Sequence, residues 1–372
     1  MEKYFVAFKY GLPNIFAHLL AMQQIKEFYS LLPNYEGKDI ELDIIKRHET
    51  RPPAWLRNQA FVIWSGNQGY FSIFSKKAMK TAIAYTIAFY AADLKDELCD
   101  KYLIPILCSK KFQSYNENKI LNLILNTNIQ KLNNSVKKEA LVLENASDNL
   151  LQLTSLKFIE LGREAYLLYK KGMMRAFKGQ AMDVWISTKL KTNKLNEIKR
   201  KFHTKDYLKK IVSVAEEKLG CIGEYAAKIT YRLSNGSDKK IENALCTWYK
   251  NATTLLQITY DDMREILDNL RERETNPFIL AMICNDYKHL SKENLKIFLE
   301  HNPELIDNMI SPLIEGIKES LKKLEDFNFH DHLLATNMIM KIVDKEIDSF
   351  EKKIGVKVIR PKLTDVRSNI SF

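Results

Sequence analysis

Two stretches of the 372-residue chain end an apolar run in a ladder of carboxylates. TAIAYTIAFYAA (81–92) carries no charge and leads at once into Asp93, Asp96, Glu97 and Asp100. These stand at i, i+3, i+4 and i+7, which is one face of a helix. NALCTWYKNATTLLQITY (243–260), with Lys250 its only charge, leads into Asp261, Glu265, Asp268 and Glu272 at i, i+4, i+7 and i+11, with Asp262 beside them. Like charges so spaced repel by about 0.2–0.5 kcal/mol per pair. Such a face either stays in water or takes a cation. Two of them at one mouth of an apolar cavity would call for hard cations. Mg²⁺ suits that role, because it takes a few carboxylate oxygens, keeps several waters and completes its shell with substrate phosphates. No softer site competes: the seven His are dispersed and form no HExxH or Cys/His cluster. His330 and His332 in FHDH are spaced i, i+2, poor for a helical metal site, and read as surface residues.

The elements that must position these ladders are helices. Gly (12) and Pro (9) are few, and alternating strand patterns of useful length are absent. Breakers fall at LLPNYEG (31–37), RPP (51–53), SNGSD (234–238), TNP (275–277), HNP (301–303) and SP (311–312). Between them apolar residues recur at helical spacing, as in Leu150, Leu151, Leu153, Leu156, Phe158 and Ile159, and in Ile310, Leu313, Ile314, Ile317 and Leu321. SKENLKIFLE (291–300) reads as a capped helix, with Ser291 as N-cap and Leu295, Phe298 and Leu299 inward. No stretch has a linker composition. The expected fold is all-α, one domain over residues 1–372, with extra N-terminal helices before about residue 55.

Composition narrows the function classes. A formal charge of +11 admits nucleic acid, an anionic membrane surface or a small anionic substrate. Scattered lysines, without a basic block or a zinc-finger or RNA-binding signature, argue against nucleic acid. Five cysteines without CxxC spacing indicate reduced thiols in a cytoplasmic setting. The opening MEKYFVAFKYGLPN lacks a signal peptide's apolar core. The longest strongly apolar uncharged run, twelve residues, is short of the ~18–20 that span a bilayer.

The ladders resemble the two aspartate-rich motifs of class I isoprenoid synthases. DELCD (96–100) is similar to their first motif, DDxxD, with Glu97 in second place. QITYDDMRE (257–265) is similar to the second, FQxxDDxxD, with Glu265 last and one extra residue between Gln257 and Asp261. KGQAMD (178–183) resembles the GQxxD segment of the polyprenyl synthetase branch, and EKLG (217–220) its KTG/KTA segment. TNPFILAM (275–282) resembles the stretch that follows the second motif. The likeness covers residues 93–282 and leaves the ends of the chain aside.

The resemblance implies an antiparallel helical bundle around a deep apolar pocket, with both acidic motifs at its mouth. It further implies three Mg²⁺ ions bridging the carboxylates to the diphosphate of an allylic prenyl substrate, which ionises to a carbocation in a dry cavity. On this reading Asp96 and Asp100 are metal ligands, supported by Glu97 or Asp93, and so are Asp261, Glu265 and Asp262. Lys218 binds diphosphate, Gln180 and Gln257 lie near the reacting allyl group, and Asp183 is a further candidate. The family expectation is a homodimer.

The chain departs from the chain-elongating members. They hold isopentenyl diphosphate with a GGKRxRP-like segment and an Arg-Arg pair after the first motif. Here WSGNQGYFSIF (64–74) has Asn67 and Gln68 in place of cations, and the nearest pair after Asp100 is Lys110 and Lys111, with Arg51, Arg57, Lys76 or Lys77 as possible substitutes. A second diphosphate without fixed cations binds poorly. Two outlets remain for one ionised substrate: cyclisation, as in a terpene synthase, or prenylation of another nucleophile, as in relatives that modify peptides. The usual terpene synthase second motif, NDxxSxxxE, is absent at 261–269. Ala91 and Ala92 are small where the family sets pocket depth, with Phe89 or Tyr85 as floor, which favours C15–C20 over C10. The expected function is a terpene synthase acting on farnesyl or geranylgeranyl diphosphate. The alternatives are a chain-elongating or peptide prenyltransferase and a non-catalytic partner subunit of a prenyl synthase.

Overall fold

A computed structural model describes residues 2–49, 76–126, 138–325 and 329–363. Every regular element in them is helical, and no strand occurs among the described residues. None of these helices is long and apolar enough to cross a membrane. The chain forms two compact, interleaved units: Met1–Ile106, Asn122–Lys171 and Tyr225–Asp238 make the first, and Leu107–Leu121, Gly172–Glu224 and Lys239–Phe372 the second.

The first unit is built on the Lys76–Leu98 helix, in which every residue from Thr81 to Ala91 is buried. TAIAYTIAFYAA offers no polar face, and a helix apolar all round must be covered all round. The Lys138–Leu161 and Glu2–Leu31 helices cover it, with Leu143, Leu150 and Leu153 from one and Ala17, Ala21, Ile25 and Tyr29 from the other. The hydroxyl of Thr86 inside this apolar surround donates to the Ala82 carbonyl at 2.8 Å, which satisfies it within its own helix. Phe89 and Tyr85 are buried. Tyr85 meets Phe158 edge-to-face at 5.0 Å, and Phe158 stacks on Tyr169 at 4.3 Å. The N-terminal helices Glu2–Leu31 and Lys38–Glu49 flank LLPNYEG as expected, with Gly37 at φ +102° in the turn.

In the second unit the Lys239–Leu256 and Leu305–Lys323 helices form the main packed pair. Ile310, Leu313, Ile314, Ile317 and Leu321 are all buried, as their spacing predicts. SP (311–312), expected as a break, is not one: Pro312 lies inside Leu305–Lys323. The buried apolar stripe runs unbroken on both sides of it, and that burial carries the helix through the missing amide. Pro277–Cys284 is buried at every residue. Ser291 caps Lys292–His301 by accepting the Asn294 amide at 3.2 Å, and Leu295, Phe298 and Leu299 point inward as expected. His332 is a correction: it is fully buried, its ring 5.5 Å from Trp248 and 5.8 Å from Tyr249 in edge-on contacts. Helical phase puts it on the inner stripe of Phe329–Ile354, which a comparison with His330 alone does not reveal.

Candidate functional site

Five of the residues singled out in the sequence meet in the second unit. The ammonium of Lys218 stands 2.5 Å from a carboxylate oxygen of Asp183. The same ammonium acts on Asp262 and Glu265, and Asp261 acts on both carboxyls as well. Asp262 feels the charges of Asp261, Asp183 and Glu265 together. Its carboxyl is held well above the usual aspartate range, first by burial and then by Asp261, against the pull of Lys218. Glu265, although exposed, is raised too, by partial loss of solvent first and then by Asp261 and Glu274. Lys218 thus pairs with Asp183 and also acts on Asp262 and Glu265, while Asp261 acts on the latter two.

Gly179 sets the approach that makes this possible. A Cβ at that position would lie 2.3 Å from the Lys218 amide nitrogen and 2.6 Å from the Glu217 carbonyl carbon. Only a glycine lets the Arg163–Lys191 helix touch the backbone carrying Lys218. Gln180 is buried next to it on that helix, and Asp183 follows one turn later. The turn itself, Glu216–Gly220, is π-helical. Both flanks of Lys218 are anchored. Arg175 grips Glu217 with two bonds of 3.0 and 2.6 Å and reaches Glu224 at 2.9 Å. Lys250 pairs with Glu216 at 3.1 Å. The Arg175 contacts hold Glu217 below the usual glutamate range.

Gln257–Asp262 is a second π turn of this unit, opening with the half-buried Gln257 and closing on Asp261 and Asp262. A π turn bonds i to i+5 and so absorbs one more residue than an α turn within an otherwise continuous helix. Met263–Glu272 continues the helix. Two side chains of TNP then fix the aspartates from behind. The Thr275 hydroxyl donates to the Asp183 carbonyl at 2.9 Å, and the Asn276 amide donates to the Asp262 carbonyl at 2.8 Å. Asn276 also caps Pro277–Cys284 by accepting the Phe278 amide at 3.0 Å. From the far side, Arg264 forms a two-bond pair with the buried Glu346 of Phe329–Ile354 and lies 3.6 Å over the Tyr260 ring.

The first ladder belongs to the first unit. Asp93, Asp96 and Glu97 are half-buried near the end of Lys76–Leu98, while Asp100 is exposed and lies inside a third π turn, Cys99–Leu103. The simple helical face therefore holds as far as Glu97 and changes pitch at Asp100. Glu97 is bonded to Lys101, its i+4 neighbour. Lys95, within the ladder, is buried and pairs with Asp148 at 3.0 Å.

No protein-family model and no curated protein matches the chain.

Among the described residues no three His, Cys, Asp or Glu side chains are arranged to hold a metal ion. The carboxyls of Asp261, Asp262 and Glu265 act on one another, and the Lys218 ammonium offsets part of their charge. Of the alternative cations, Arg51, Arg57 and the 64–74 segment lie outside the described residues. Lys76 and Lys77 are exposed, and Lys77 donates to the Leu233 carbonyl at 3.3 Å. Arg175 and Glu346 are not singled out in the sequence, and Glu217 and Asn276 stand there only within EKLG and TNP. Asn-Pro at 276–277 did carry a signal, an N-cap followed by Pro at the first helical position. The other three are ordinary charges until tertiary contacts select them.

Proposed function

We propose that this chain is a Mg²⁺-dependent class I isoprenoid synthase, specifically a terpene synthase that ionises farnesyl or geranylgeranyl diphosphate. The observation that supports it is the 2.5 Å ion pair of Asp183 with Lys218, whose ammonium also acts on Asp262 and Glu265 from a third stretch of the chain. Lys218 would bind diphosphate oxygen, giving up part of its contact with Asp183 as the anion arrives. Asp261, Asp262 and Glu265 would hold the ions. Bound Mg²⁺ supplies neutralising charge to the departing diphosphate. Burial and the neighbouring carboxylates raise the Asp262 carboxyl, and a bound cation would act in the opposite direction. Buried Gln180 and half-buried Gln257 would orient the allyl group.

The test is incubation of the purified chain with Mg²⁺ and each diphosphate separately, without isopentenyl diphosphate. A hexane extract is analysed by gas chromatography–mass spectrometry, with Asp261→Ala and Asp96→Ala alongside. The proposal expects a hydrocarbon or alcohol that both variants and chelation by EDTA abolish. A product that appears only with isopentenyl diphosphate, or none under any condition, overturns it.

A further inference from the structure

A second polar site lies in the same unit and shares no residue with the Asp183–Lys218 site, though its Lys110 is one of the paired cations noted after Asp100 in the sequence. It is a cleft of about 530 Å³ between the 110–117 segment, the end of Arg163–Lys191 and the start of Leu195–Phe202. That is the size of a small-molecule pocket. Trp185 is part of its lining and is buried. Two ammoniums stand over the indole, Lys201 at 5.1 Å and Lys189 at 5.6 Å.

Lys189 is the built element of the cleft. It is 3% exposed, and its ammonium bonds the Gln113 carbonyl and Glu197, each at 2.7 Å. Both wall carboxylates are already engaged, Glu197 by Lys189 and by Lys194 at 3.6 Å, and Glu117 by Lys201 at 2.5 Å. Those contacts hold both carboxyls below the usual glutamate range, so they stay ionised and occupied. Lys110, on the lining, adds a further cation. Lys189 and Lys194 also offset the negative C-terminal end of the helix, but Lys110 and Lys201 come from elsewhere in the chain. The wall therefore carries more ammoniums than carboxylates, and its carboxylates are turned to lysines rather than left to repel an anion.

We propose that this cleft binds a small phosphorylated molecule, its phosphate on Lys194 and Lys110 and its apolar part against the edge of Trp185. A multivalent oxyanion is the ligand class that converging ammoniums recognise best.

The test is a tryptophan-fluorescence titration of the full chain with inorganic phosphate and with adenosine 5′-monophosphate, against sodium chloride at matched ionic strength. The proposal expects a saturable change that the chloride control lacks, that Trp185→Phe abolishes, and that Lys110→Glu/Lys194→Glu weakens at least tenfold. Lys218→Ala should leave it unchanged, which separates this cleft from the diphosphate site proposed above. No saturable change with either probe overturns the proposal. So does a change that survives the double charge reversal, or one that Lys218→Ala removes.

Discussion

Lys218 and Asp183 are 35 positions apart in the chain, yet their charged atoms meet at 2.5 Å. The pair exists because Gly179 leaves no Cβ between the two backbones that carry it, and because Arg175 and Lys250 hold the residues just before Lys218. The short ion pair is thus the outcome of a helix–helix contact, and disturbing that contact disturbs the charges.

If Lys218 receives the diphosphate, Lys218→Ala should lower kcat/KM for the prenyl diphosphate roughly 100-fold, the size of loss seen when one preorganised donor to a developing anion is removed. Asp183→Asn should cost less, because the lysine loses its holder and keeps its charge. Steady-state kinetics on both variants measure this. Equal and negligible effects would remove Lys218 from the site.

Gly179→Ala should be destabilising by roughly 1–3 kcal/mol, since the added methyl meets backbone and not a side chain that could swing aside. Urea unfolding reads it directly. An alanine variant as stable as the parent would mean that the two segments separate freely.

Asn276→Ala removes a cap and two donors at a fully buried position. A loss of about 1–3 kcal/mol is expected. Asn276→Asp keeps the cap oxygen but turns an acceptor toward the Asp262 carbonyl, so it should be at least as unstable. Were the aspartate variant to match the wild type in thermal unfolding, the amide bond to Asp262 would carry no weight.

The π turn at Gln257–Asp262 makes a different kind of prediction. Deleting Thr259 lets the turn close to α pitch while the faces before and after keep their direction. Deleting Leu267, inside the regular helix, rotates everything beyond it by about 100°. Circular dichroism and thermal unfolding should find the first deletion folded and the second severely destabilised. Equal damage from both would deny that the turn absorbs a residue.

Stability should also depend on pH through Glu41, fully buried in the first unit. Tyr29 at 2.9 Å and Tyr35 at 2.7 Å donate to one of its carboxylate oxygens, and Asn149 donates at 3.1 Å. Burial outweighs these donors and raises the carboxyl above its usual range. The folded chain then binds a proton that the unfolded chain has released. That contribution is full below the ordinary glutamate value and is lost as pH rises through the raised folded value. Denaturant midpoints measured across this window should fall with rising pH in the wild type and stay flatter in Glu41→Gln. Identical slopes would show that Glu41 titrates alike in the folded and unfolded chains.

The helices, most of their breaks and the acidic ladders are legible in the sequence, because periodicity, caps and turn residues act over a few positions. Ser291 and the 310–321 stripe are read correctly for that reason, and Pro312 is misread because its cost is local while the burial that overcomes it is not. His332 is misplaced for the same cause. The order of residue types also marks Asp183, Lys218 and Asp261 as candidates. Only the tertiary structure brings Lys218 onto Asp183, turns Gly179 into a contact, and makes Arg175, Asn276 and Glu346 into supports. Charge–charge contacts between residues far apart in sequence leave no periodic trace. They are decided by which faces are buried together, and burial is a property of the folded chain.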